Sequence, residues 1–250
     1  MANVQIELKT ATGALHIGEV PRVVGTLSSF AKNLSSWVRE ISCDIVEVRL
    51  DQMPLENDWL SRCRSLQSTG LPVILTIRHP SEGGQWHGSE ERRLELYEQA
   101  LRELSAVDIE FKSAIAIRVA EAAKRLGKVA IVSFHDFAQT PPLADLQAVI
   151  SKAEAFAGIV KVTTMAHSEQ DVDILRQLLT RRWKVPLCAM GMGALGAQTR
   201  VSLAAAGSCL TYGYLDKPMA PGQLAASELV RQLRKALPAY DRECRASRAE

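Results

Sequence analysis

The feature that most constrains the fold of this chain is a regular alternation of short apolar runs with amphipathic stretches. Eight runs are rich in β-branched residues: Arg22–Leu27, Asp44–Leu50, Pro72–Arg78, Val107–Phe111, Lys128–His135, Gly158–Thr163, Val185–Met190 and Ser208–Tyr212. Helical patterns lie near 29–41, 56–67, 89–105, 113–126, 143–156, 168–182 and 196–206, and a last one follows Gly222. Repeated strand-then-helix units predict parallel strands covered by helices. Eight such units in 250 residues favour an α/β fold of the closed (β/α)8 TIM-barrel type over an open sheet.

The two ends of the chain depart from this alternation. Val4–Leu8 and Ala14–Ile17 flank a turn at Thr12-Gly13, which predicts an N-terminal β-hairpin. We expect residues 1–237 to form a single domain. Residues 238–250 are polar and charged, and we expect them to be a frayed C-terminal tail.

Several of the predicted strands carry charge on one face. Along Asp44–Leu50, alternate positions are uniformly apolar, and the positions between them include Glu47 and Arg49. The apolar face must meet the helices, so the charged face points into the barrel. The same argument turns a further set of polar residues inward, namely Arg78, Asp108, Glu110, Ser133, His135 and Lys161. Most lie toward the C-terminal ends of their strands, where TIM-barrel active sites are built.

Lys161 is the candidate nucleophile of this inner face. It lies inside Gly158–Thr163, and a lysine among cations and a histidine is a candidate for imine formation with a carbonyl compound. By itself, such a lysine is more often ion-paired, and a histidine such as His135 is more often part of a core. Their convergence with other charged residues on one inner face favours a site.

Composition and charge exclude several classes of partner. The net charge of +2 is too small to indicate a nucleic-acid or acidic-membrane partner. Apolar runs stay shorter than the roughly 20 residues that a membrane helix needs, and the N-terminus lacks a secretory pattern. The five cysteines form neither a C-x-x-C motif nor a Cys/His cluster, so we expect no metal, reduced thiols and a cytoplasmic location.

A glycine motif points to a different function. The segment Gly191-Met-Gly-Ala-Leu-Gly196 follows a predicted strand and opens a predicted helix, with Asp216 further along the chain. This context is close to that of a dinucleotide-binding fingerprint. However, only one predicted strand follows the motif, whereas a nucleotide-binding sheet needs several. A loop after the seventh barrel strand that holds an anionic group is the simpler interpretation.

With these residues placed, the sequence resembles type I 3-dehydroquinate dehydratases, Schiff-base enzymes of the shikimate pathway and of aromatic amino acid biosynthesis. The likeness extends from about Pro21 to Leu233. Six segments carry it in order: Asp44–Asp51, Thr76–Gly84, Ser133–Phe137 with Thr140-Pro141, Ile159–Lys161, Met190-Gly-Met192 with Arg200, and Ala220–Gln223.

The resemblance implies a role for each matching residue. It makes Lys161 the lysine that forms an imine with the substrate ketone, His135 the general acid/base and Glu82 the carboxylate that orients it. The implied substrate-binding residues are Thr26, Glu47, Arg49, Arg78, Met190, Met192, Arg200, Met219 and Gln223. Within that set, Glu47, Arg49 and Arg78 would hold ring hydroxyls, and Arg200 would pair with the substrate carboxylate. Met190 and Met192 would be apolar walls, and Gln223 would belong to a covering loop.

Two positions differ from the family pattern. Thr26 replaces a serine and keeps the hydroxyl. Met219 stands where the family has a serine that hydrogen-bonds the substrate carboxylate, which affects the expected affinity and substrate identity. The resemblance also implies a homodimer, 3-dehydroquinate as the small-molecule partner, and no cofactor.

The chemistry of the implied reaction suits these residue types. Removing water from a hydroxy-ketone requires a proton to leave the carbon beside the ketone, and a protonated imine provides the electron sink for this step. A histidine can accept that proton and return one to the leaving hydroxyl. Arg200 can hold a carboxylate through two parallel hydrogen bonds.

Three alternatives stay open from the sequence. Another imine-forming barrel, such as an aldolase, would usually keep a phosphate site after strands seven and eight, whereas Arg200 and Gln223 better suit a carboxylate and hydroxyls. A non-catalytic ligand-binding relative is supported by Met219 alone, and the retained Lys161, His135 and Glu82 argue against it. A nicotinamide-dependent enzyme would rest on the motif at Gly191.

Overall fold

The computed structural model describes residues 4–10, 12–30 and 42–246. Within these ranges the strands are β1 (Ile6–Lys9), β2 (Ala14–Ile17), β3 (Arg22–Leu27), β4 (Ile45–Arg49), β5 (Val73–Thr76), β6 (Ala106–Glu110), β7 (Val129–Asp136), β8 (Ile159–Met165), β9 (Leu187–Met192) and β10 (Leu210–Tyr214). The α-helices are α1 (Trp59–Gln67), α2 (Glu90–Glu103), α3 (Ala116–Arg125), α4 (Leu143–Ala153), α5 (Glu169–Thr180), α6 (Gly196–Ala205), α7 (Ala226–Ala236) and α8 (Pro238–Ala246). Of the helix expected near 29–41, residues 31–41 lie outside the described residues.

Strands β3 to β10 form one parallel sheet in the order β10-β3-β4-β5-β6-β7-β8-β9. The two end strands of this order also approach each other, since the Cys209 N–H donates to the Leu187 carbonyl at 2.9 Å. The eight strands therefore form a nearly closed barrel, with helices following the strands along the chain. The predicted (β/α)8 fold is confirmed.

The predicted N-terminal hairpin is also confirmed, and it closes one end of the barrel. Strands β1 and β2 pair antiparallel, with Leu8 opposite Leu15. Leu8 and Ile17 are fully buried and pack with the first inward residues of the barrel strands, such as Ala106 and Val129. The hairpin therefore covers the amino-terminal end, which leaves the carboxyl-terminal end as the mouth.

Side-chain alternation places the two cores where the sequence predicts them. Between strands and helices, the outer core includes Val46, Val48, Leu75, Ile77, Val107, Ile109, Val132, Phe134, Val160 and Val162. Inside the barrel, the inner core is a separate cluster that includes Val24, Ile45, Ile74, Ile131, Ile159 and Met190. Inward positions nearer the mouth are polar, and they build the site.

The C-terminal segment corrects one expectation. Residues Pro238–Ala246 form helix α8 instead of a frayed tail. Tyr240 is fully buried, and its hydroxyl donates to Asp44 Oδ2 at 2.9 Å. Arg22 makes an ion pair with Glu243, and Arg234 donates to Asp241 Oδ1 at 2.7 Å. The contacts with Asp44 and Arg22 hold the helix against the amino-terminal end of the barrel, and the bond from Arg234 joins it to α7. The domain boundary at residue 237 stays a prediction.

Among the residues that the structure describes, there is no helix with both the length and the apolar character needed to span a membrane.

Candidate active site

Lys161 lies at the centre of a buried polar cluster near the barrel mouth. Its Nζ is 2.5 Å from Asp108 Oδ2, and the lysine is only 4% exposed. The other carboxylate oxygen of Asp108, Oδ1, accepts hydrogen bonds from Arg78 at 2.7 Å and from the Ser133 hydroxyl at 2.7 Å. Residues on β6, β7 and β8 and the segment after β5 thus meet here, as the alternation predicts.

His135 and Glu82 form a pair beside this cluster. Strands β7 and β8 place Ser133 opposite Lys161 and His135 opposite Thr163, so the histidine lies one inward position nearer the mouth than the lysine. Glu82 Oε2 lies 2.9 Å from His135 Nδ1 and also accepts from the His135 backbone N–H at 3.0 Å. This geometry fixes the ring and supports the predicted orienting role of Glu82.

A turn after β5 brings Glu82 into this position. Pro80–Glu82 form a short 3-10 helix that ends at Gly83, whose φ is 77°. A Cβ on Gly84 would lie 1.8 Å from the Arg78 carbonyl oxygen, so only glycine allows the chain to fold back this closely. The Gly83-Gly84 pair of the sequence is therefore what turns the carboxylate toward β7.

The buried setting shifts the pKa values of this pair in opposite directions. Burial raises the pKa of Glu82 to about 7, although the charge of Arg78 partly opposes this. Burial, followed by the positive charges of Arg78 and Lys161, lowers the pKa of His135 well below its usual value. His135 is therefore a neutral base at neutral pH.

Two of the expected hydroxyl-binding residues lie on β4. Glu47 is buried and accepts from the Thr76 hydroxyl at 2.7 Å. Arg49 is held by Asp51 through two hydrogen bonds, at 2.9 and 2.8 Å. The third such residue, Arg78, has its terminal nitrogens bonded to the protein, with NH2 at Asp108 and NH1 at Ser133, 2.8 Å away.

Arg200 reaches the site from helix α6. It is 2% exposed and donates to the Tyr212 carbonyl at 2.8 Å and the Gly222 carbonyl at 3.2 Å. Its NH1 also lies 3.6 Å from Met190 Sδ. Burial lowers the pKa of Arg200 to about 10. A buried guanidinium that donates to carbonyls rather than to a carboxylate is a suitable partner for an anionic ligand group.

The loop between β10 and α7 covers one side of the mouth. Gln223 donates to the Thr26 hydroxyl at 2.8 Å and accepts from the Met219 backbone N–H at 2.7 Å. The Met219 sulfur is 4.0 Å from Arg49 NH1. Three of the predicted substrate-binding residues therefore lie together, next to an arginine of the site: Thr26 of β3 and Met219 and Gln223 of the loop.

The glycine motif lies within the barrel. Gly191 and Met192 belong to β9, and Gly196 begins α6, so the motif forms the turn after the seventh barrel strand. Met190 and Met192 are 3% and 1% exposed, so both are core residues, with Met190 in the inner core. The doubly wound sheet that a dinucleotide fingerprint requires is not the fold of this chain.

Sequence reasoning placed Asp108 on the inner face but not in the site. The structure makes it the nearest charged partner of Lys161. Tyr212 carried no independent signal, yet its ring centroid lies 4.4 Å from Lys161 Nζ. The alternation along Val107–Phe111 was the available signal for Asp108, since an aspartate deep inside a barrel needs a cationic partner.

The fold and the site define a TIM-barrel enzyme whose buried lysine faces a carboxylate and a histidine–glutamate pair. The chain belongs to the type I 3-dehydroquinase family, because residues 20–237 match the sequence pattern of that family. This confirms the resemblance drawn from the sequence and the assignment to the hydro-lyases, and it disfavours the aldolase and nicotinamide alternatives.

Similar proteins agree with this membership. The chain is 38% identical to a 3-dehydroquinate dehydratase of Methanothrix thermoacetophila, over 86% of this chain and 92% of the relative. The crystal structure of 3-dehydroquinate dehydratase from Geobacillus kaustophilus superposes with a TM-score of 0.82 at 27% identity, covering 93% of this chain and 97% of that one. The enzyme from Aquifex aeolicus gives a TM-score of 0.74 at 31% identity, covering 85% and 97%.

Proposed function

We propose that this protein converts 3-dehydroquinate to 3-dehydroshikimate through an imine on Lys161, with His135 as the general acid/base. The observation that carries the proposal is the position of Lys161, buried near the barrel mouth with His135 on the adjacent strand. Family membership and the names of the relatives support the substrate and the reaction.

In the first stage, Lys161 gives up one proton from its ammonium group, and the neutral amine attacks the ketone carbon. A carbon–nitrogen bond forms. The carbonyl oxygen leaves as water with that proton and a second proton from the nitrogen, and the imine nitrogen keeps the last proton and a positive charge. The cluster suits this stage because Lys161 Nζ is fixed by Asp108 and by the ring of Tyr212. A fixed nucleophile reduces the entropy that must be lost in the reaction.

In the second stage, His135 takes the proton from the carbon beside the imine. The electrons of that bond form the enamine, and the nitrogen then returns them as the β-hydroxyl leaves with a proton from His135. The lowered pKa of His135 makes it neutral and able to accept the proton at neutral pH. Hydrolysis of the remaining imine releases the enone product and restores Lys161.

Substrate binding is assigned to the groups around this centre. Arg200 would hold the substrate carboxylate, because its guanidinium is buried beneath the loop that contains Gly222. Glu47 and Arg49, with Arg78, would contact ring hydroxyls, while Met190 and Met192 would line the apolar side. Met219 and Gln223 of the β10–α7 loop, together with Thr26 of β3, would close the site.

The homodimer and the cytoplasmic location expected from the sequence stay predictions. Sedimentation of the purified protein across a range of concentrations would test the first, and fractionation of cells would test the second.

Chemical trapping tests the mechanism directly. Borohydride added with substrate or product should leave a stable adduct on Lys161, located by peptide mass. Lys161→Ala should lose both labelling and turnover, because Lys161 supplies the nucleophile. Lys152→Ala, which changes an exposed lysine on α4, is the matched control and should retain both.

Two results would contradict the proposal. An adduct on another lysine would place the site elsewhere, and turnover of 3-dehydroquinate without an adduct would mean that no imine forms. Absence of both turnover and adduct in the wild-type protein would instead support the non-catalytic alternative.

A further inference from the structure

Asp108 is fixed in orientation before any substrate binds. Its Oδ1 accepts from Arg78 and from the Ser133 hydroxyl, both at 2.7 Å, while its Oδ2 lies 2.5 Å from Lys161 Nζ. Asp108 is fully buried. One oxygen is thus occupied by the protein and the other is directed at the lysine nitrogen.

A chain of buried charges supports this orientation from the outside of the barrel. Arg78 NH1 lies 3.2 Å from Glu110 Oε1, and Glu110 in turn pairs with the fully buried Arg93 of helix α2. Arg93 also donates to the Ile77 carbonyl at 2.8 Å. Charges of alternating sign therefore run from α2 to Lys161, and they hold the Asp108 carboxylate in place.

A second group faces the same nitrogen. The ring of Tyr212, on β10, has its centroid 4.4 Å from Lys161 Nζ. An aromatic face attracts a cation, and the attraction is stronger where water is excluded. The lysine nitrogen thus lies within reach of a carboxylate and an aromatic face, and both favour a positive charge on it.

We propose that Asp108 is a catalytic carboxylate that keeps the Lys161 imine protonated, with the ring of Tyr212 as a weaker second contribution. This rests on the proposed function, since it concerns the imine formed there. Only a protonated imine draws in the electrons of the carbon–hydrogen bond that His135 breaks. Asp108 accepts no proton itself; its fixed negative charge stabilises the positive nitrogen until those electrons arrive and the nitrogen becomes neutral.

The charge balance around the imine agrees with this role. The titratable and charged groups of neighbouring elements that surround the Lys161–Asp108 cluster are Glu47 and Arg49 on β4, Arg78 and Glu82 after β5, Glu110 on β6, His135 on β7, Cys188 on β9, Arg200 on α6 and Tyr212 on β10. Burial by itself would raise the pKa of Asp108, but the charges of Arg78 and Lys161 outweigh it and hold that pKa well below its usual range. Asp108 therefore keeps its charge throughout the working pH range.

The isosteric variant Asp108→Asn tests the role, because it removes the charge and keeps an oxygen for Arg78 and Ser133. We expect kcat to fall about 10²–10³-fold, as when a preorganised electrostatic group is removed. KM should change much less, because Asp108 contacts the lysine rather than the carboxylate or hydroxyls. The alkaline limb of the kcat profile should move to lower pH, because the imine then loses its proton more easily. Asp145→Asn, on the exposed face of α4, is the matched control and should match the wild type.

Two readouts separate this role from a structural one. Borohydride reduces the protonated imine, so trapping in Asp108→Asn should weaken as the pH rises, whereas trapping in the wild type should stay constant. A variant that loses activity with an unchanged pH profile and unchanged trapping would overturn the role of Asp108. A wild-type protein that turns over without any adduct would instead refute the imine, and with it the proposed mechanism.

The wild-type protein provides an answer even if Asp108→Asn does not fold. Protein labelled with 15N at lysine side chains and saturated with product should show a protonated imine nitrogen from mildly acidic to mildly alkaline pH. A nitrogen chemical shift that moves to that of a neutral imine within this range would overturn the proposal.

Discussion

At the scale of single residues, two buried glutamates of the site experience opposite electrostatic environments. Burial raises the pKa of Glu82 to about 7, and its Oε1 lacks a hydrogen-bond partner among the described residues. Burial also acts on Glu110, but the charges of Arg78 and Arg93 outweigh it and lower the pKa. The surroundings thus destabilise the ionised form of Glu82 and stabilise the ionised form of Glu110.

This contrast predicts opposite stability effects for the same substitution. The folded protein binds the Glu82 proton more tightly than the unfolded chain, so Glu82 makes stability fall between pH 4.5 and about 7. The full effect is at most about 3 kcal/mol. Glu82→Gln should therefore increase the free energy of unfolding relative to the wild type, and the increase should grow as the pH rises through that window. The same variant should have a lower kcat, because His135 loses the carboxylate that orients it. Urea denaturation across this range measures the difference.

Glu110→Gln is the matched variant, and its expected effect on the free energy of unfolding has the opposite sign. A lowered pKa contributes stability that is present at neutral pH and is lost as the pH falls through the folded-state value. The variant should therefore be less stable than the wild type at neutral pH, since Arg78 and Arg93 lose a buried partner. If both variants shifted stability in the same direction, the assigned environments would be wrong.

At the scale of elements, the β10–α7 loop connects several parts of the site. The Pro221 carbonyl accepts from the Gly193 N–H at 3.2 Å, and the Gly222 carbonyl accepts from Arg200 at 3.2 Å. Gln223 joins the loop to Thr26 on β3. The loop is thus tied to β3, to the β9–α6 turn and to α6, and these bonds hold Met219 and Gln223 next to Arg49 and Thr26.

Met219 of this loop lies where the family resemblance implies a serine. A serine hydroxyl there could donate to a substrate carboxylate, and such a charge-assisted bond is worth about 1.5–3 kcal/mol. Met219→Ser should therefore lower KM about tenfold or more with little change in kcat, because the contact is similar in the ground and transition states. Met219→Leu, which adds no hydroxyl, should show no such decrease. A higher KM for Met219→Ser would mean that the methionine packs against the substrate.

The sequence predicts those features of the strands that follow from the alternation of side chains. The inward orientation of Glu47, Arg49 and Lys161 on their strands could be predicted, because strand alternation is a local property that needs no knowledge of neighbouring elements. The partnership of Asp108 with Lys161 could not be derived, because it depends on how the inward side chains of β6 and β8, which flank β7, approach each other. Helix α8 was missed because its exposed face is polar, while Tyr240 provides the buried contact.

At the scale of the whole molecule, the residues that stabilise the barrel and the residues of the site lie at opposite ends of the barrel axis. The hairpin closes the amino-terminal end, with Leu8 and Ile17 packed against the inner core. It is tethered by the Ser105 hydroxyl, which donates to the Lys9 carbonyl at 2.6 Å, and by Arg22, which donates to the His16 carbonyl at 3.0 Å. The site residues lie at the other end of the strands, as in TIM barrels generally.

This separation predicts that a cavity beneath the barrel weakens the fold and spares the chemistry. Leu8 is fully buried, so Leu8→Ala should lower the free energy of unfolding by about 2–5 kcal/mol through lost burial and a residual cavity. The kcat of the folded variant and borohydride labelling at Lys161 should stay at wild-type values, because the inner core lies between Leu8 and the site. Leu55→Ala, at a side chain 44% exposed, is the control and should change stability much less. A fall in kcat without a fall in stability would show instead that the hairpin communicates with the mouth, and the two ends of the barrel would have to be treated as one functional unit.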